Sequence, residues 1–147
     1  MLDRLFGKPE EISGRESYRH RQEIYLYRWI LLARENFNIY LHHFVDNDLK
    51  CMHDHPKRFI SIGLKGWYIE QTPTGNEIYS APWIRSFPPE HIHRLLVPSK
   101  SCWTIVIVFK KTREWGFWHL GKWIPWFEYV HDEKCRDIAH SNQNEQA

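Results

Sequence analysis

The chain has 147 residues, enough for one domain with a full hydrophobic core, and its 42% hydrophobic and 26% charged residues suit an ordinary globular protein. A formal charge of only +2 gives no reason to expect nucleic acid as a partner, and the basic cluster Arg15, Arg19, His20, Arg21 and Arg28, diluted by Glu16 and Glu23, reads as a solvated face. The longest apolar run, Trp103 to Phe109 apart from Thr104, is too short to span a bilayer, and the charged N-terminus Met1 to Lys8 lacks the apolar run of a signal peptide.

The first twenty residues are polar, carry Pro9 and Gly14, and suggest no chemistry; Glu16 to Gln22 has the makings of a helical turn. From Ile24 to Leu32 the chain becomes strand-like, with a helix as the alternative because Leu and Arg are good helix formers. Arg34-Glu35-Asn36 reads as a turn into a second β-rich run, Phe37 to Val45, closed by Asp46-Asn47-Asp48. Phe59 to Leu64, a Lys65-Gly66 turn and Trp67 to Glu70 read as a hairpin. Thr72 to Asn76 is a further turn, and Glu77 to Phe87 is a strand interrupted by Pro82. Pro88-Pro89-Glu90 breaks the chain before His91 to Val97, and Pro98 to Ser101 turns it into Cys102 to Phe109. That last strand is apolar on both faces, as a central strand of a sandwich or barrel would be. Glu114 to Tyr129, with Trp115, Trp118, Trp123 and Trp126, is expected to close one end of the core.

Eight or nine short strands separated by Pro, Gly, Asn and Asp turns predict an all-β sandwich or barrel. The organisation expected is an N-terminal arm over 1–22, a single domain over 23–130 and a polar, disordered tail over 131–147. Eight Trp, seven Tyr and eight Phe suit a β core or a pocket lined with large rings. Three scattered cysteines, Cys51, Cys102 and Cys135, do not make a disulfide framework, so a cytoplasmic location is the expectation.

The chemistry concentrates in Cys51-Met52-His53-Asp54-His55-Pro56. On a strand His53 and His55 point the same way and Asp54 the other, and Pro56 holds His55 in extended backbone. Two imidazoles on one face are half of a typical first-row metal site; the alternative is a polar loop with two solvated histidines. Cys51 as a third zinc ligand lacks the spacing of known fingers.

Across the hairpins the histidine spacing resembles the cupin superfamily, the RmlC-like double-stranded β-helix jelly rolls. In the family's first motif, G-x5-H-x-H-x(3,4)-E-x6-G, His53 and His55 match the histidine pair, Phe59 falls at the glutamate and Gly66 at the closing glycine. The opening glycine is absent, its place covered by Phe44 to Asn47. In the second motif, G-x5-P-x-G-x2-H-x3-N, Pro88 matches the proline and His93 the histidine, whereas Glu90 replaces the glycine and Val97 the asparagine. Tyr40-Leu41-His42, His53 to Pro56, Phe59-Ile60-Ser61, Gly66 to Glu70, His93-Arg94 and Arg113 to Phe117 also resemble a narrower group of small bacterial and phage cupins, which no shared activity defines.

The resemblance implies a cupin jelly roll with a metal held by His53, His55 and His93. Three imidazoles suit Fe(II), with Zn, Ni, Mn or Cu as alternatives, and leave positions for water or substrate. Phe59 in place of a carboxylate makes the site more positive by one charge, which favours an anionic or chelating small molecule. A three-histidine cupin site resembles the thiol dioxygenases, so an Fe(II)-dependent dioxygenase-like reaction is the leading expectation. The alternatives are a non-catalytic small-ligand-binding cupin and a metal-free, epimerase- or isomerase-like cupin acting on sugars.

Other candidates surround this set. Only one of His42 and His43 can face inward as a further ligand, and His91 shares parity with His93 and would sit behind it. Glu90 is a candidate to orient a ligand histidine or act as a base. Arg85 is a candidate for a substrate anion, with a plain surface arginine as the alternative, and Glu70 reads as a solvated strand residue. The tryptophans are expected to fill the core or cover a homodimer interface, a minority stacking on a ligand.

Overall fold

The computed structural model describes residues 1–13, 24–48 and 51–128. The predicted helical turn at Glu16 to Gln22, the other basic residues of the Arg15 to Arg21 cluster and the polar tail lie outside them.

Among the described residues the chain forms one short helix, α1 (Leu2–Phe6), and ten strands: β1 (Glu10–Ser13), β2 (Ile24–Ala33), β3 (Phe37–Phe44), β4 (Lys57–Thr72), β5 (Gly75–Ser80), β6 (Trp83–Phe87), β7 (Arg94–Leu96), β8 (Cys102–Lys111), β9 (Gly116–His119) and β10 (Lys122–Pro125). The β-branched and aromatic run of β2 resolves the helix alternative in favour of a strand. All strand pairings are antiparallel, and the main path runs β1-β2-β3-β8-β4, with β5, β6 and β7 also paired to β4. This is the all-β jelly-roll arrangement that the sequence predicts.

Three expectations change. The predicted hairpin at Lys65-Gly66 is instead a continuous strand, β4, of 16 residues. Its first half pairs with β6 and β8, its second half with β5 and β7, so one strand serves both sheets. The register slips between Gly63 and Lys65, a bulge that lets the strand bend. Gly66 follows at φ +91, where a Cβ would come within 2.6 Å of the Ser101 carbonyl oxygen. The Lys-Gly pair therefore bends a strand where a turn was expected.

The N-terminal segment, expected as a polar arm, contributes α1 and the edge strand β1, which pairs with β2. Asp3 accepts a hydrogen bond from Trp29 Nε1 at 3.1 Å, so the start of the chain is tied to β2. Trp29 stacks on Trp103 of β8, and Trp103 on His43 of β3. These rings cover the outer face of β8 and account for its being apolar on both sides. As expected, β8 is central, between β3 and β4.

Cys51 is buried against Phe117 and is disulfide-bonded, a pairing not anticipated from the cysteine spacing. On the inner side, Tyr68, Trp83, Val97 and Cys102 form a buried cluster, against which Phe44, Tyr79 and Leu95 pack. Trp83 lies over Gly63, where any Cβ would enter its ring. Among the described residues no helix is long and apolar enough to cross a membrane.

Candidate metal centre

The His53–Pro56 stretch lies just before β4, not within it, and is fixed from both sides. His53 exchanges backbone hydrogen bonds with His93, N to O at 2.9 and 3.0 Å, and also bridges Phe117. Asp54 points away from the histidines, as alternation requires. It is 2% exposed and accepts hydrogen bonds from Gly116 N at 2.7 Å, Trp123 Nε1 at 2.8 Å and Arg113. The loop that carries the histidine pair is thereby bolted to the β9–β10 hairpin through a satisfied buried carboxylate.

His53, His55 and His93 come together, with one nitrogen from each lying within 4.8 Å of the others. His53 Nδ1 donates to the Cys51 carbonyl at 3.0 Å, and His93 Nδ1 donates to Glu70 Oε1 at 2.7 Å. Both neutral rings consequently keep an Nε2 lone pair free to ligate. His55 Nε2 is 2.8 Å from His93 Nε2, close to the roughly 3 Å between neighbouring nitrogens when each lies about 2.1 Å from a shared ion. Burial, and next the neighbouring His93, hold the His53 pKa down at about 4. Burial and the surrounding histidines hold His55 well below its usual value, and burial lowers His93 although Glu70 opposes it. Neutral imidazoles are what a transition metal needs, so donor type, spacing and protonation all fit a divalent ion.

Glu70, read from sequence as solvated, is 2% exposed and is the hub behind this group. Besides His93 it accepts from His91 Nε2 at 2.8 Å and Arg85 at 2.7 Å, while Arg85 also donates to the Tyr68 hydroxyl at 2.7 Å. Burial pushes the Glu70 carboxyl up, but hydrogen bonds from His91, His93 and Arg85 together hold it well below the usual range. Glu70, His91 and His93 also lie close enough to hold an ion. Arg85 on the same carboxylate opposes a second cation there, and the arrangement orients His93 instead. Orientation was expected of Glu90, which is exposed and has no such role in this geometry. A continuous β4 is the signal that would have found Glu70, because it carries Tyr68 and Glu70 inward past the bulge. Arg85, ion-paired to Glu70 and lying over the Tyr79 ring at 3.6 Å, is neither a plain surface group nor a lining residue of the cavity.

The three histidines open into a cavity of about 430 Å³. Phe59, at the family's glutamate position, stacks on Phe87 and meets His55 edge-on, forming an apolar wall beside the histidine group. His42 faces the cavity and His43 does not; His42 accepts from Arg28 Nε at 3.0 Å and stands apart from the metal-binding group. Arg28, grouped from sequence with a solvated basic face, lines the cavity. Asp48 lies there too: its Oδ1 accepts from Leu95 N at 3.0 Å, and its Oδ2 is 3.9 Å from His53 Nε2. Burial, the main cause, pushes the Asp48 pKa up to about 8.

No family model matches the chain, and no curated protein does. Solved structures do. A sugar phosphate isomerase of the cupin superfamily from Silicibacter pomeroyi matches with TM-score 0.52 at 13% identity, over 64% of this chain and 66% of that one. KdgF from a Halomonas species gives TM-score 0.52 at 13% identity, over 66% and 91%. A Klebsiella pneumoniae protein with a double-stranded β-helix domain gives 0.50 at 14%, over 61% and 81%. What they share with this chain is the fold. The chain has the double-stranded β-helix jelly-roll fold of the cupin superfamily.

Proposed function

We propose that this cupin holds one divalent transition ion through His53, His55 and His93 and acts on a small chelating, anionic molecule in an Fe(II)- and O2-dependent reaction of the dioxygenase type. The observation that carries the reading is the convergence of three neutral imidazoles on a cavity in which Phe59 stands where a carboxylate ligand would be. An Fe(II) ion held there supplies coordination positions for substrate and O2 together with the electrons for oxygen activation.

The chain's own groups have separable tasks. Glu70 keeps a proton on His93 Nδ1, and the Cys51 carbonyl does the same for His53. Phe59 and Phe87 exclude water from one side of the histidine group, which strengthens electrostatic attraction for an anion. With no ligand carboxylate at position 59, the ion's full charge is available to a bound anion.

The test is to load the protein with Fe(II) anaerobically, measure metal per chain, and follow O2 uptake with a broad panel of thiols and acids. About one ion per chain and substrate-dependent uptake, both abolished by His53→Ala, are expected. No substrate-dependent uptake across the panel refutes the dioxygenase chemistry; metal well below one per chain refutes the metal site itself.

A further inference from the structure

The cavity that the histidines line has a second polar feature, which the three-histidine group does not use. Arg28 on β2 pairs in register with His42 on β3, and His42 pairs with Thr104 on β8. All three line the cavity, so they form one row running across three neighbouring strands. The surrounding positions on these strands are mostly apolar, including Leu26, Phe44 and Val106. A polar row inside such a wall costs desolvation and needs compensation.

Thr104 shows that the compensation is incomplete within the protein. It is 2% exposed, and its hydroxyl has no hydrogen-bond partner. Buried hydroxyls are ordinarily satisfied, so this one is aimed at something outside the protein's own network. His42 accepts from Arg28 Nε through its Nε2, so the neutral ring carries its proton on Nδ1. Burial, with Arg28 next, holds its pKa at about 3, which keeps it uncharged. Arg28 lies over the Tyr40 ring and has Glu10 3.9 Å away, a partner half exposed to solvent. The row thus offers a guanidinium, an imidazole N–H and a hydroxyl, all able to donate. Its complement is an anionic oxygen group.

We infer that the Arg28–His42–Thr104 row is a subsite for a carboxylate tail on the ligand whose chelating head meets the three-histidine group. The three histidines and the row line the same cavity of about 430 Å³, so one small molecule can meet both. The substrate class is then a small acid with a chelating head at one end and a carboxylate at the other. This rests on the metal reading above for the head, whereas the tail preference is a property of the row alone.

The experiment uses the zinc-loaded full chain and two probes on carbon chains of the same length, succinate monohydroxamate and butyrohydroxamate, which share a chelating head and end in a carboxylate and a methyl group. Calorimetric titration is expected to show the acid binding about tenfold more tightly or better, the gain of a charge-assisted hydrogen-bonded pair. Arg28→Gln should abolish that preference and Thr104→Val should cut it severalfold, both leaving butyrohydroxamate affinity within about twofold. Thr104→Val keeps the side chain's shape and deletes only the unpartnered hydroxyl, so it carries the test even where Arg28→Gln disturbs folding. Equal affinities for the two probes in the wild type, or a preference that survives Thr104→Val unchanged, overturn the tail subsite while leaving the metal site standing. Failure to retain zinc and to bind butyrohydroxamate overturns the metal reading and this inference with it.

Discussion

Replacing Glu70 by glutamine keeps the side chain's shape and removes its charge, which isolates what the carboxylate does behind the histidine group. In the wild type its two oxygens face three donors: His91 at 2.8 Å, His93 at 2.7 Å and Arg85 at 2.7 Å. An amide has one accepting oxygen. If that oxygen serves the two histidines, the amide N–H groups face Arg85, donor against donor. Glu70 is 3% exposed in its side chain and Arg85 18%, so the pair is largely desolvated; breaking such a pair costs about 3 kcal/mol, the low end for fully buried pairs. With a urea slope of about 1–3 kcal/mol/M, the midpoint of metal-free protein should fall by at least about 1 M. Because the carboxyl's folded pKa lies below its unfolded one, its contribution is complete above about pH 4.3 and is lost as pH falls further. The gap between wild type and variant should therefore narrow in acid. Zinc affinity, read by competition with a chromophoric chelator, should drop about 10- to 100-fold because the His93 tautomer is no longer enforced. Unchanged zinc affinity, or a stability gap that does not narrow below pH 4, refutes Glu70 as the group that orients His93.

Asp54→Asn removes the ion pair with Arg113 and one acceptor from a buried group with three donors, and is expected to cost about 3 kcal/mol and to weaken zinc binding without touching a ligand. Urea titration and chelator competition check both, and full stability in the variant would show that the β9–β10 hairpin does not secure the histidine loop. The metal-free protein should also lose stability as pH falls from about 6.5 to 4, since His42, held at about 3 when folded, takes a proton more readily when unfolded; its share of the slope, beside those of His53, His55 and His93, is up to about 1.4 kcal/mol per pH unit. His42→Gln should remove His42's share of that loss and leave the part due to His53, His55 and His93, and the change in midpoint between pH 7 and 5, compared with the wild type, decides it.

What the chain discloses in one dimension depends on how local the physics is. The β2, β3 and β8 runs are rich in β-branched and aromatic residues, and the central place of β8 followed from apolar residues on both faces. His53 and His55 are legible because alternation is local, whereas His93 joined them only through the spacing of a family motif. Lys65-Gly66 misled because a glycine at positive φ suits a turn and a bulge equally, and only the pairing of β4 with four other strands distinguishes the two. That single misreading put Glu70 in solvent and left Glu90 as the orienting group. The Arg28–His42–Thr104 row is a matter of cross-strand register between segments far apart in sequence, which no residue in any one of them encodes.

The undivided β4 also has a kinetic side. A strand that supplies pairing edges to both sheets lets neither be completed before the other, and its residues pair with β6, β7 and β8 across tens of residues of sequence, as Lys57 does with Lys111. Assembly of the histidine pocket must then wait for pairings of large sequence separation, which places this domain among the slow-folding β proteins. Opening should be equally concerted: amide protons of Phe59 and Ile69, on the two halves of the one strand, are expected to exchange through the same global event and not through separate fraying of each sheet.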